Sequence, residues 1–504
     1  MTTPVEQVDV LIVGAGLSGI GAAAQLGANF PDRKIVVLES RQTNGGTWDL
    51  FKYPGIRSDS DMFTFGYKWD PWPGEQALAD GRHILSYLRK VADKWNVDEK
   101  IRYGHKVVSA DWSSADKRWT VTAETADGLT TIATRFLWSC AGYYDYDHGH
   151  EPEFPGRAKF KGEFVFPQFW PEDLDYAGKN VVVIGSGATA VTLIPNMADE
   201  VGHITMLQRT PTYILSRPGK DLVAVGIGST VGKLPKMVPF RNLRERAGFE
   251  AVRWANVMLQ ISTFSLARTQ PDTVKKIIRE GIIRSLTGLR EKYMTRDEAI
   301  EIVEAHFTPP YQPWDQRLCF VPDGDLFKAI RTGKASVVTD RIRTFVADGI
   351  ELESGDKLPA DIVIAATGLK IKLFGGVQLH IDGKPVAASD TLAYKGLALS
   401  GIPNLLFTIG YTNASWTLKA DLVIDYAVKL LKHMDKKGYE QFLVERDYDG
   451  EVRPLMDMQS GYLQRAAAEM PRAGDRAPWG LKQNYLVDVK TITGSVVDRP
   501  LTFA

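Results

Sequence analysis

The sequence predicts an α/β protein with two Rossmann-like dinucleotide-binding domains, the second inserted in the first, and a helical insert. Three observations predict it. A glycine-rich loop, Gly14-Ala15-Gly16-Leu17-Ser18-Gly19, comes after a short apolar run near the start of the chain. A second loop, Gly185-Ser186-Gly187-Ala188-Thr189-Ala190, comes after another such run, and each unit is succeeded by short alternating segments that read as a meander. At 504 residues the chain also exceeds one ordinary core, so two or three domains are expected.

Taken in order, Val8 to Val13 is a nearly continuous apolar run, Ile20 to Leu26 an Ala-rich helix, and Ile35 to Leu38 the next strand, ending at Glu39. Strand, tight turn, helix, strand and acid give the first loop the context that a bare glycine pattern lacks. Ile84, Leu88, Val91 and Trp95 recur at helical spacing and mark an amphipathic helix. Val107 to Trp112, Trp119 to Ala123 and Thr130 to Trp138 read as a meander with a hairpin turn at Asp127-Gly128. The second unit opens with Val181 to Ile184, and its own meander is expected over Val337 to Ile364. Leu405 to Ile409 reads as a late strand returning to the first unit. These signals divide the chain into 1–150 and 371–504 for the first domain, 151–217 and 310–370 for the second, and 218–309 for the helical insert. Basic residues of that insert, Arg253 among them, are expected on a solvated helix face.

Lys plus Arg and Asp plus Glu both number 61, so no global charge favours nucleic acid or an anionic membrane, and partners are expected to be small molecules. The cysteines, Cys140 and Cys319, form no CxxC pair, which suits a reducing, cytoplasmic setting and argues against thiol-disulfide chemistry. The N-terminus runs almost directly into the first strand, which leaves no room for a secretory signal. Leu222 to Phe240 is apolar but broken by Lys233, Pro235, Lys236 and Pro239, so no integral membrane segment is expected.

The two loops lead to different residues at the end of the next strand. Glycine at Gly14, Gly16 and Gly19 lets backbone approach a pyrophosphate, the helix N-terminus offers unpaired N–H groups, and Glu39 stands at the spacing that accepts ribose hydroxyls, as the adenosine of FAD requires. After Gly185, Gly187, Ala188 and Thr189 the corresponding strand ends without an acid, in Gln208-Arg209-Thr210. Arg209 suits a 2′-phosphate, which favours NADPH over NADH.

Three further blocks carry a family resemblance. They are Gly45-Gly46-Thr47-Trp48 with Tyr53-Pro54-Gly55-Ile56-Arg57-Ser58-Asp59, the linker Phe160 to Pro171, and Trp314-Asp315-Gln316-Arg317. Together they resemble type I Baeyer–Villiger monooxygenases, in the ethionamide-activating branch, and the likeness runs from the first loop to Trp479-Gly480. The linker departs from the family fingerprint at Phe166, where histidine is usual, and Gln316 stands where other branches carry a lysine. The resemblance implies FAD and NADPH, O2 as co-substrate, and insertion of one oxygen atom next to a ketone carbonyl through a C4a-peroxyflavin, giving an ester or lactone. It makes Arg317 and Asp59 the catalytic pair, with Asp59, Gly46, Thr47, Trp48, Gln316, Asn413 and Trp416 about the cofactors. A guanidinium beside a developing oxyanion is worth about 4 kcal/mol at an effective dielectric near 20. The bland alternative for Asp59 is an N-cap on a helix starting near Ser60, and for Trp416 core packing. The rival activities are oxidation of sulfur or nitrogen centres, as in a thioether, and uncoupled NADPH oxidation. A monomer or weak homodimer is expected.

Overall fold

The apolar run before the first glycine loop forms the strand Glu6–Val13, which lies inside a nine-stranded sheet. It pairs in parallel with Ile35–Leu38, Val10 opposite Ile35, and with Gly128–Ser139, Glu6 opposite Ile132. The computed structural model describes residues 5–221, 241–456 and 458–504, with the side chains of 241–247 and 290 left aside. Lys106–Ser113, Arg118–Thr125 and Gly128–Ser139 form the expected antiparallel meander. Gln378–Ile381 and Leu405–Phe407 join the same sheet by pairing with the first and last of these strands. The first sheet therefore takes strands from both ends of the chain.

Between those ends lies a five-stranded parallel sheet in the order Ala335–Thr339, His203–Gln208, Asn180–Ile184, Ile362–Ala365, Glu163–Val165. Strands covered on both faces read as unbroken apolar runs, and Val181, Val182 and Val183 are buried accordingly. This corrects one expectation. The meander of the second unit covers only Ile342–Val346, Gly349–Leu352 and Lys357–Pro359, whereas Val337 and Ile364 lie in the parallel sheet. A short apolar run does not reveal whether its partner is parallel or antiparallel.

Arg241–Thr269, Pro271–Thr287 and Arg296–His306 make the insert helical, the last opened by a Thr295/Glu298 capping box. The apolar stretch Leu222 to Phe240 lies outside the described residues, as do the side chains of Arg241, Arg244 and Arg246. Among the described residues no helix is long and apolar enough to cross a membrane.

Arg253 overturns the solvated-face expectation, being 4% exposed. Its guanidinium pairs with Asp421 at 2.9 Å and donates to the carbonyls of Phe63 and Gly66, so it ties the insert to the first unit. Burial pushes the Asp421 carboxyl up to about 6 although Arg253 opposes the shift. Truncating one member of a buried pair leaves the other uncompensated, so Arg253→Leu is expected to destabilise the protein by about 3–5 kcal/mol. The carboxyl sets the sign of the pH dependence. Its folded value lies above the unfolded one, so the folded state holds the extra proton and its advantage is lost as pH rises through about 6. Without Arg253 that carboxyl rises further, and thermal unfolding of the variant should show a larger deficit at pH 8 than at pH 5.

Candidate active site

Both glycine loops open into one cavity of about 1110 Å³, which Gly14, Gly16, Gly185 and Gly187 line together. Gly14 has φ +99°, and a Cβ there would lie 2.8 Å from the Cys140 carbonyl oxygen. Gly16 precedes the helix Leu17–Asn29 and faces Gly46, where a Cβ would come within 2.9 Å of the Gly16 Cα. The two glycine motifs of the first unit thus touch backbone to backbone. Gly19 lies away from the cavity, and a Cβ on it would fall 1.8 Å from the Gly14 carbonyl oxygen, so it sets the helix against the loop. Glu39 is buried at the cavity wall and accepts a 2.7 Å bond from the Ala15 N–H. Thr47 and Trp48 line the cavity as well, Thr47 sharing a 3.1 Å hydroxyl contact with Tyr146.

In the second unit Ala188 and Thr189, which also line the cavity, begin the helix Ala188–Met197 just after Gly187, where a Cβ would meet nothing within 4 Å. The helix N-terminus aims its free N–H groups into the space, as an anionic diphosphate requires. Arg209 is exposed at the cavity rim, has no ion-pair partner among the described residues, and is followed by Thr210. Glycines with no room for a side chain at Gly14, Gly46 and Gly185, two helix N-termini and an unpaired arginine on one cavity fit two dinucleotides.

Where the two units meet, Arg317 Nε and Nη2 donate to Asp59 Oδ2 and Oδ1 at 2.8 and 2.7 Å. Both residues line the cavity, and Arg317 Nη1 makes no hydrogen bond among the described residues. The Asp59 charge holds the guanidinium well above its ordinary range, so it stays protonated throughout. The N-cap alternative for Asp59 does not hold. The short helix Met62–Phe65 is capped by Asp61, whose carboxylate accepts the Thr64 N–H at 2.8 Å.

Tyr143, Tyr144 and Tyr462 also line the cavity, close enough for the Arg317 charge to act on each phenol. Burial pushes all three phenols up, so they remain neutral donors. Sequence reasoning missed them as site residues. Neither Tyr143 nor Tyr462 stands in a segment that a site motif marks. Cys319 is buried beside the pair, its thiol pushed up to about 12 by desolvation, and is not a nucleophile.

Trp416 lines the cavity while its Nε1 donates to Ser18 Oγ at 2.8 Å, so it both packs and faces the site. Gln316 lines it too, with no side-chain hydrogen bond among the described residues. Asn413 departs from expectation, because its amide nitrogen donates to the Gln483 carbonyl at 2.9 Å and it does not line the cavity. The C-terminal segment competes for that side chain, and no local pattern announces such a competitor. Phe166 also stands off the cavity, its ring edge-on to Phe164 at 5.3 Å, against which the Arg157 guanidinium stacks at 3.9 Å.

A family model described as flavin-binding monooxygenase-like matches residues 70–227, and one for an NAD(P)-binding Rossmann-like domain matches 12–71. The chain is 50% identical over 502 residues to the FAD-containing monooxygenase EthA of Mycobacterium tuberculosis, covering 99% of this chain and 98% of that one. It is 47% identical over 491 residues to a probable FAD-binding monooxygenase AlmA of an Acinetobacter species, covering 97% and 94%. Its fold resembles a steroid monooxygenase bound to NADP at TM-score 0.75 and 20% identity, covering 99% of each chain. An open cyclohexanone monooxygenase matches at 0.72 and 19%, covering 99% and 100%.

Proposed function

This chain belongs to the FAD-containing monooxygenases, in the group of EthA, and we propose that it inserts one oxygen atom of O2 beside a ketone carbonyl to give an ester or lactone, with Arg317 and Asp59 as the catalytic pair. It is an NADPH-dependent flavoprotein monooxygenase. The observation that carries the ketone reading is the bidentate pair on the cavity that both glycine loops share. When bound, FAD supplies oxygen activation and NADPH the hydride that reduces it.

The chain's own residues do the rest. Gly14, Gly16 and the N-terminus of Leu17–Asn29 hold the FAD diphosphate, and Glu39 holds its ribose. Gly185, Gly187, Ala188 and Thr189 hold that of NADPH, with Arg209 and Thr210 at its adenosine end. Asp59 fixes the Arg317 fork, and the free Nη1 meets the negative charge that develops on the substrate oxygen. Asp59 offsets part of the arginine's charge, so the pull on the developing oxyanion comes mainly through the directed Nη1–H donor. Trp416 and the three tyrosines keep bulk water from that side. The domain assignment that accompanies this reading gives 1–150 and 371–504 to FAD, 151–217 and 310–370 to NADPH. A cytosolic setting agrees with the two buried free thiols, and a monomer or weak homodimer belongs to the same proposal.

Arg209→Ala should raise KM for NADPH by about tenfold or more while leaving that for NADH nearly unchanged, since a bond to a charged group contributes about 1.5–3 kcal/mol. Equal losses with both nucleotides would take Arg209 off the 2′-phosphate. The activity itself is tested by incubating FAD-loaded protein in air with NADPH, linear, cyclic and aryl ketones, and one thioether. Ester formed in step with NADPH consumption supports the reading, and sulfoxide or hydrogen peroxide alone refutes it.

A further inference from the structure

The catalytic pair has a neighbour of opposite polarity. Arg57, two residues before Asp59, places Nη1 2.5 Å and Nη2 3.4 Å from the carboxylate of Asp325, eight residues after Arg317. Its Nη2 also reaches the Val191 carbonyl at 3.4 Å, on the helix that leaves the second glycine loop. Residues 56–58 are fastened to the first unit, the Gly81 N–H donating to the Ile56 carbonyl at 2.7 Å and the Ser58 N–H to that of Ala79 at 2.9 Å. Asp325 instead opens the helix Asp325–Arg331 of the second unit. The Arg57 side chain is 10% and that of Asp325 27% exposed, so the contact is half-buried and not a fully solvated bridge. Alongside it, Gly55 has φ +72° and meets Asn196 of the same second-unit helix, whose Nδ2 would lie 2.1 Å from a Cβ placed there.

We propose that Arg57 and Asp325 are positioning residues, a register lock between the two dinucleotide-binding units that holds Asp59 opposite Arg317 and the NADPH-binding helix at a fixed offset from the FAD side. This rests on the function proposed above for its effect on oxygenation, but not for its effect on nucleotide binding. Two ion pairs therefore cross the boundary between the units, Arg57 with Asp325 and Asp59 with Arg317. Displacing either unit along that boundary pulls both carboxylates from their guanidiniums at once and leaves four charges unpaired, which disfavours the misaligned state. Neither pair alone enforces register in this way. Burial raises the Asp325 carboxyl while Arg57 lowers it, as expected of an acid that depends on its partner.

The test is titration of FAD-loaded protein with NADP+, followed by flavin fluorescence, for Arg57→Met, Asp325→Asn, their double variant and Arg57→Lys, with thermal midpoint and flavin content recorded for each. Each of the first two should weaken NADP+ by about tenfold, the size of effect carried by a contact that couples sites. The double variant should lose no more than either single, and Arg57→Lys should recover most of the affinity, which a general loss of stability would not produce. Should Arg57→Met fail to fold, the near-isosteric Asp325→Asn and Arg57→Lys carry the comparison. NADP+ affinity within about twofold of the parent in the folded variants, or single losses that multiply in the double, would overturn the lock. A parent enzyme that makes no ester would count against the ketone reading alone, since the NADP+ titration does not depend on it.

Discussion

Arg317→Ala is expected to lower ester formation by about 10²–10³-fold, the usual loss when one preorganised donor to a developing oxyanion is removed, while NADPH oxidation continues and ends in hydrogen peroxide. The split between the two readouts matters more than the size of the drop. Arg317 touches neither glycine loop through a hydrogen bond, and its two described bonds both go to Asp59, so nucleotide binding by the loops survives its removal. Asp59 is then left without its partner on a partly buried surface. Arg317→Lys should recover only part of the rate, because an ammonium cannot bond both Asp59 oxygens and keep a fork nitrogen for the substrate. Quantifying ester, NADPH and peroxide in the same vessel checks all of this. A variant that keeps coupled ester formation would remove Arg317 from the chemistry.

Gly19→Ala should abolish flavin binding and lower the thermal midpoint sharply, whereas Gly187→Ala should leave folding intact and weaken only NADPH. The contrast comes from what a methyl group meets. At Gly19 it would lie 1.8 Å from the Gly14 carbonyl oxygen, a backbone atom that cannot give way, so the helix Leu17–Asn29 must shift off the loop. Overpacking of ordinary core sites costs about 1–3 kcal/mol, and a backbone clash of this depth exceeds that range. At Gly187 the methyl would meet nothing within 4 Å, so its effect is felt only by a ligand seated on the helix N-terminus. Flavin absorbance after gel filtration and NADPH titration separate the two outcomes. A Gly187→Ala variant with unchanged NADPH affinity would move the diphosphate away from that loop.

Local signals made the loops readable. An apolar run, a glycine turn, a helix and a second strand succeed one another in sequence, and the structure places them in that order around Gly14 and Gly185. The Arg317 and Asp59 positions, 258 residues apart, were legible only through the family resemblance, because no periodicity links such distant segments. The Arg57–Asp325 seam, the Tyr143–Tyr144–Tyr462 wall and the burial of Arg253 were not legible at all. Each is created when two separate elements pack together, and each side chain looks ordinary in its own stretch of chain. Asn413 misleads for the same reason, a distant backbone carbonyl having taken its amide. Antiparallel meanders are marked by their turns, but Val337 and Ile364, with no turn to mark them, belong to parallel strands.

The central claim, oxygen insertion from O2 beside a carbonyl, is tested most directly by reacting FAD-loaded protein with NADPH and an accepted ketone under ¹⁸O2 and weighing the product. The account predicts one labelled oxygen in each ester molecule, placed at the ring or chain position rather than the carbonyl, with one NADPH consumed per ester. Unlabelled ester, or label recovered only in hydrogen peroxide while the ketone is returned unchanged, would contradict it.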